Sequence, residues 1–251
     1  MSYTIALGGK GGTGKTTIAG FLIRYMIEKG KTPILAVDAD SNSNLHEVLG
    51  VEVETTLGEA REMMKKDVPT GMTKDIFMEI QVEKALVESD GFDLIAMGRP
   101  EGPGCYCAAN NILTELIQRL MKNYPYLVVD NEAGMEHFSR LTQKNIDLLL
   151  LVSDPSRRGL TAAKRILELV DSLPIRVADR FLIINQAHDE NLKVPDDIIE
   201  IFGKDNWGVI PADPKVAEFD MQGKPTFSLP EDSIAIQKSF SLFDKILSNT
   251  T

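Results

Sequence analysis

The sequence predicts an α/β fold in which a doubly wound, mostly parallel sheet is flanked by helices, and three observations predict it. Short runs rich in β-branched and apolar residues alternate with segments whose apolar residues recur every three or four positions. Several of the short runs are apolar at consecutive positions, the pattern of a strand covered on both faces. A glycine-rich turn follows the first run directly and opens the first helical segment. No repeat, low-complexity tract or Pro/Gly/Ser-rich linker interrupts this order, so residues 1–251 are read as a single domain.

The first strand is Tyr3 to Leu7, and residues 9 to 16 then read Gly-Lys-Gly-Gly-Thr-Gly-Lys-Thr before a helix over Thr16 to Glu28. Glycines in such a turn let backbone N–H groups face phosphate oxygens; Lys15 adds a mobile positive charge, and the Thr16 hydroxyl can ligate Mg²⁺. The motif is complete and stands between a strand and a helix, which makes this a P-loop NTPase sequence. Gly9, Lys10, Gly11, Gly12, Thr13, Gly14, Lys15, Thr16 and Thr17 are the candidate nucleotide-binding residues, with Lys15 also a catalytic candidate.

The strand over Pro33 to Val37 runs into Ala36-Val-Asp-Ala-Asp-Ser-Asn-Ser-Asn44. In doubly wound sheets ligands sit beyond the carboxyl ends of the strands, where Asp38 and Asp40 could hold Mg²⁺, orient the attacking water or cap the next helix. Asp40 is assigned to the water and Asp38 to magnesium. Residues 51–90 are charged and Met-rich with mixed periodicity, so no element is assigned there.

Strands follow at Phe92 to Met97, Tyr126 to Val129, Ile146 to Val152, Phe181 to Ile184 and Trp207 to Ile210, with helical patterns at Asn111 to Met121 and Leu160 to Leu169. Asp130 ends the Tyr126 strand as a third magnesium candidate, and Gly134 beyond it can permit a backbone rearrangement. The segment Ser233 to Leu247 is apolar at Ile234, Ile236, Phe240, Phe243, Ile246 and Leu247 but carries only Lys238 and Lys245 as cations, with Asp244 between them. A helix docked on the sheet fits that charge pattern better than a membrane anchor.

Composition narrows the partners. A net charge of −10 provides no overall field for phosphate backbones or anionic lipid, so neither nucleic acid nor membrane is expected. The amino terminus lacks a charged leader, and no run approaches the roughly eighteen apolar residues of a membrane span, which points to the cytoplasm. Arg157 and Arg158 read as a solvated helix start or interface contact, and His46, His137 and His188 show no ligand spacing.

Both cysteines, Cys105 and Cys107, fall in a glycine- and proline-rich loop, Gly98-Arg-Pro-Glu-Gly-Pro-Gly-Cys-Tyr-Cys-Ala-Ala-Asn110. A disulfide between them would close a tiny strained ring. Thiolates are soft ligands for Ni²⁺, Zn²⁺ or Cu⁺, but two cannot complete a four-coordinate site. A two-fold homodimer supplies four, whereas the plain alternative is two small side chains buried together.

Lys10, just after the first glycine, gives the loop the deviant form that resembles the group of MinD, ParA, the nitrogenase iron protein and metal-insertion ATPases. The resemblance implies that Lys10 reaches across a nucleotide-sandwich dimer, that the 36–44 and 130–134 segments are switches, and that the base is adenine, so the nucleotides are ATP and ADP. It places Asn185 of Ile183-Ile-Asn-Gln186, and Pro211 and Asp213 of Val209-Ile-Pro-Ala-Asp-Pro214, against that base. With the Cys-Tyr-Cys loop and Val152-Ser-Asp-Pro-Ser-Arg-Arg-Gly159, nearly the whole chain resembles the CooC and AcsF type of nickel-insertion ATPase. Membership there implies Ni²⁺ or Zn²⁺ at Cys105 and Cys107 and, as client, carbon monoxide dehydrogenase or acetyl-CoA synthase, with residues 51–90 available to recognise it. Two other readings share the loop: a positioning ATPase of the MinD or ParA sort, and an iron-protein-like carrier of a [4Fe–4S] cluster. The carrier takes its cysteines from two separated loops, unlike this chain.

Overall fold

The computed structural model describes residues 2–66, 68–98, 115–131, 145–189 and 192–247, side chains 65 and 66 excepted. Its centre is an eight-stranded sheet in the order β3-β4-β2-β5-β1-β6-β7-β8. The strands are β1 (Tyr3–Gly9), β2 (Ile34–Ala39), β3 (Leu86–Glu88), β4 (Phe92–Ala96), β5 (Tyr126–Asn131), β6 (Asn145–Ser153), β7 (Arg176–Ala187) and β8 (Trp207–Pro211). All neighbours run parallel except β3, which pairs antiparallel with β4 at one edge.

The helices are α1 (Lys15–Glu28), α2 (Leu45–Leu49), α3 (Leu57–Lys66), α4 (Lys74–Ala85), α5 (115–121), α6 (Arg157–Ser172), α7 (Asp196–Phe202), α8 (Pro214–Met221) and α9 (Ile234–Leu247). Successive strand residues feed opposite cores, which is why their apolar runs are continuous. Ala6, Leu35, Val37, Leu127, Val129, Leu149 and Leu151 join the layer of α3 to α7. Ile5, Leu7, Ile34, Ala36, Val128, Leu148 and Leu150 join that of α1, α2 and α9.

All seven strands read from the sequence are present, several longer than the apolar run that revealed them. Residues 51–90, unassigned from the sequence, hold α3, α4 and β3. Thr73 caps α4 by accepting from the Ile76 N–H at 3.3 Å, and Phe77, Met78, Val82 and Ala85 supply its buried face. Gln81 is also buried there, which blurs the apolar period. Of the helix expected over Asn111 to Met121, residues 115–121 are helical; the Cys105 and Cys107 loop, residues 111–114, Gly134 and His137 lie outside the described residues.

The C-terminal helix α9 is docked, as its charge pattern suggests. Ala235, Ile236, Phe243 and Leu247 are buried, with Phe243 and Phe240 packed on Tyr25 of α1 at ring-centroid distances of 5.5 and 5.4 Å. Asp244 accepts from the Tyr25 hydroxyl at 2.8 Å and pairs with Lys29 at 2.9 Å. Among the described residues no helix is long and apolar enough to cross a membrane. Phe243→Ala removes a fully buried ring at this junction. The expected loss is about 3–5 kcal/mol in urea unfolding; a change below about 1 kcal/mol would mean that α9 contributes little to the fold.

Candidate functional site

Parallel order brings seven strand ends to one edge of the sheet. Gly9, which ends β1, pairs with Val152 of β6; an added Cβ there would lie 2.2 Å from the Val152 carbonyl oxygen. No side chain fits, so the loop must leave β1 through glycine. Gly14 then caps α1 with φ 83° and no side-chain bond, so the first N–H groups of the helix remain directed at the loop. An added Cβ at Gly11 or Gly12 would meet nothing within 4 Å. The loop is thus a cradle of bare backbone, which fits a chain of phosphates.

The loop is braced from inside. The Lys10 carbonyl accepts from the Thr13 hydroxyl at 2.9 Å and from Lys15 Nζ at 3.3 Å. Lys15 is buried with its charge held at the loop, whereas Lys10 is exposed. Asn185, at the end of β7, donates from Nδ2 to the Thr13 carbonyl at 2.9 Å.

Beside the cradle lie two buried carboxylates. Asp38 on β2 and Asp130 on β5 are in register on adjacent strands, each 1% exposed. Asp38 accepts from the Asp40 N–H at 3.1 Å and the Leu45 N–H at 2.9 Å, fixing the turn that carries residues 40–45. Asp40 is half-buried and accepts from the Asn42 N–H at 2.8 Å. Asp130 is hydrogen-bonded to the Thr16 side chain, yet its buried Oδ1 has no protein partner. Burial raises the Asp38 pKa to about 6 against the lowering pull of its backbone bonds. Burial also raises Asp130 to about 7, with the Asp38 charge adding to it and Thr16 and Lys15 opposing.

An orphaned carboxylate oxygen next to a hydroxyl, at the foot of a phosphate cradle, is a donor set for a hard divalent cation. Thr16 and Asp130 therefore fit Mg²⁺, with Asp38 alongside. Among the described residues there is no cluster of three or more His, Cys, Asp or Glu side chains suited to a metal; Cys105 and Cys107 fall outside them.

A cleft of about 410 Å³ opens next to α1, lined by Thr17, Phe21, Asn185, Gln186, Pro211 and Asp213 among others. The strand ends expected to meet a base therefore do converge. The Asp213 carboxylate, however, is committed to structure: it accepts from the Lys215 N–H at 2.9 Å, the Ser233 hydroxyl at 2.6 Å and the Ala235 N–H at 3.1 Å. Burial pushes its pKa up, but these bonds outweigh that and hold it below the usual carboxylate range. The Asp213 carboxylate is therefore not left to face a ligand, whereas Pro211 and Ala212 line the cleft beside it.

Sequence reading also missed Asn131, which is 1% exposed and donates to the Leu7 carbonyl at 3.0 Å, locking β5 against β1 behind the loop. Asparagine following the strand-end aspartate was the available signal. Arg157 forms a two-point pair with Asp197 at 2.7 and 2.8 Å, a contact between α6 and α7.

Residues 4–227 match the CobQ/CobB/MinD/ParA nucleotide binding domain. An uncharacterized ATP-binding protein of Methanocaldococcus jannaschii is 41% identical over 248 residues, covering 97% of this chain and 98% of that protein. The carbon monoxide dehydrogenase accessory protein CooC of Rhodospirillum rubrum is 31% identical over 244 residues, covering 90% of this chain and 89% of CooC. In the MinC:MinD cell division complex of Aquifex aeolicus, a solved chain superposes with a TM-score of 0.71 at 23% identity, covering 100% of this chain and 98% of that one.

In the fold both acids hold their protons to higher pH than in the unfolded chain, where the carboxyl pKa is near 3.8. The native state thus binds more protons between about pH 4 and about 7, and stability falls as pH rises through that window. Asp130→Asn removes one buried charge and is expected to flatten this dependence in nucleotide-free protein, adding roughly 1–3 kcal/mol above pH 7. The same variant should lose Mg²⁺-dependent hydrolysis. Thermal melts from pH 4 to about 8 check it; an unchanged slope would refute the buried-charge account.

Proposed function

We propose that this chain, which belongs to the CobQ/CobB/MinD/ParA nucleotide-binding family, uses its ATPase cycle to insert nickel into carbon monoxide dehydrogenase or acetyl-CoA synthase. The ATPase itself follows from the family and fold. The observation that carries the finer reading is the near full-length relationship to the carbon monoxide dehydrogenase accessory protein. The Cys-Tyr-Cys loop supports it with a pair of soft ligands for the cargo metal.

In this reading the loop amides and Lys15 bind the β- and γ-phosphates, and Asn185 keeps the loop in shape through the Thr13 carbonyl. Thr16 and Asp130 would hold Mg²⁺, which when bound neutralises charge on the phosphate oxygens. Asp38 fixes the turn that presents Asp40, and Asp40 orients the attacking water. Lys10, exposed on a braced loop, reaches the phosphates of a second subunit and couples ATP binding to homodimer closure. Closure brings two copies of the cysteine loop together, so four thiolates hold one Ni²⁺, or Zn²⁺ in the same place, as cargo. Hydrolysis reopens the dimer at the client. The buried apolar face of α9 makes a membrane-positioning role the weaker reading.

Lys15→Ala should reduce hydrolysis about 10²–10³-fold by removing fixed positive charge from the transferring phosphate. Lys10→Ala should still bind ATP but stay monomeric by mass measurement with ATP. For the cargo, anaerobic Ni²⁺ binding is expected at one ion per dimer in wild type and none in the Cys105→Ala/Cys107→Ala protein. Unchanged nickel binding in that double variant would end the metal-insertion reading while leaving the ATPase intact.

A further inference from the structure

The chain leaves β4 toward Cys105 and Cys107 through a junction held on two sides. Beyond the Asp38–Ala96 pair the β2–β4 ladder adds one more bond, from the Met97 N–H to the Asp38 carbonyl oxygen at 2.8 Å. On the other side the Met97 carbonyl accepts from the Gly58 N–H at 2.8 Å. Gly58 lies in the first turn of α3, where backbone donors have no partner within the helix, so the helix start is committed to the strand exit. Gly98 follows with φ 65°, and an added Cβ there would lie 2.4 Å from Thr56 Oγ1 and 2.6 Å from Thr56 Cβ. Only glycine fits under that side chain.

Thr56 is itself held. With Glu59 it forms a reciprocal cap at the start of α3: its hydroxyl accepts from the Glu59 N–H at 3.3 Å, while Glu59 Oε2 accepts from the Thr56 N–H at 2.8 Å and from the Thr56 hydroxyl at 3.0 Å. Behind the cap, Leu57 and Ala60 are fully buried and anchor α3 in the core. Asp38 is fixed as well, since its side chain holds the 40–45 turn and its strand position pairs with Asp130. The direction in which the chain leaves β4 is therefore set by the end of β2, beside the phosphate cradle, and by the cap of α3. Close-packed, hydrogen-bonded contacts of this kind pass a displacement on instead of absorbing it.

We propose that Thr56 and Gly98 are positioning residues for the cargo metal: they fix the path from β4 toward Cys105 and Cys107, and the Met97–Asp38 bond makes that path follow the nucleotide site, so that bound nucleotide changes nickel affinity. This rests on the cargo reading above and adds to it the route by which the two sites communicate. Dimer closure brings the thiolates of two subunits together, whereas this junction sets the direction from which each pair arrives. The coupling therefore depends on the junction even in a closed dimer.

Anaerobic Ni²⁺ titrations by calorimetry, in excess Mg²⁺, compare wild type, Thr56→Gly and Gly98→Ala without nucleotide and with a non-hydrolysable ATP analogue. The Cys105→Ala/Cys107→Ala protein serves as the blank, and mass is measured alongside. Wild type is expected to change its Ni²⁺ affinity by about 5–150-fold with the analogue, the ordinary range of coupling between sites, and linkage requires an equal change in analogue affinity when Ni²⁺ is bound. Thr56→Gly removes the side chain over Gly98 while glycine remains an acceptable cap. It should bind each ligand and dimerise with the analogue, but both changes should fall toward unity. Gly98→Ala should do the same, and where it fails to fold, Thr56→Gly decides. Full coupling kept in Thr56→Gly, whatever its melting temperature, overturns the inference, as does a wild-type nickel affinity that nucleotide leaves unchanged. Loss of coupling together with loss of the dimer also overturns it, because closure alone then accounts for the change; the cargo reading survives all three. Absence of nickel binding in wild type overturns the cargo reading, and this one with it.

Discussion

Two carboxylates side by side in the dry centre of a parallel sheet set the terms for everything near them. Asp38 and Asp130 stand in register with almost no exposure, and burying an unpaired charge is among the costliest arrangements a fold can contain. Asp38 is compensated by two backbone N–H groups of the 40–45 turn. Asp130 keeps one oxygen bare, and its compensation comes from the Thr16 side chain and the nearby Lys15 charge. The pair therefore carries an electrostatic penalty that a positive charge at the bare Asp130 oxygen would relieve.

The rest of the structure keeps that edge in place through contacts distant in sequence. Asn185 and Asn131 pin the loop and β1 from opposite sides. Asp213 fastens the starts of α8 and α9 together, and α9 returns to α1 through Tyr25, Phe240 and Phe243. Helix α1, which begins at the glycine-rich loop, is thereby clamped near its far end by α9, which begins beside the cleft.

Local signals were legible and non-local ones were not. The loop from Gly9 to Thr16 could be read because strand, turn chemistry and helix lie within one short stretch. The strands could be read because burial on both faces leaves continuous apolar runs. Strand β3 is three residues long and half-exposed, too short to show a period. Asp213 was legible as a strand-end residue, but its partners Ser233 and Ala235 lie 20 and 22 residues onward, and no periodicity predicts that they return. The bulge at the end of β7, where Gln186 is left-handed, left no mark either, since glutamine gives no hint of such a backbone. The thiol pair lies outside the described residues, so its reading as a soft-ligand pair rests on sequence chemistry alone.

The two borders of the sheet differ from its working face. On one side the last strand is only three residues and runs against the direction of the others. On the opposite side β8 ends in proline and is overlain by α9, with Leu242 so close that a Cβ on Gly208 would sit 2.3 Å from it. Neither border offers a long open row of backbone donors and acceptors for a foreign strand to extend. Chance encounters between copies along either border therefore find no open ladder to extend, and side-by-side contact does not propagate into fibres.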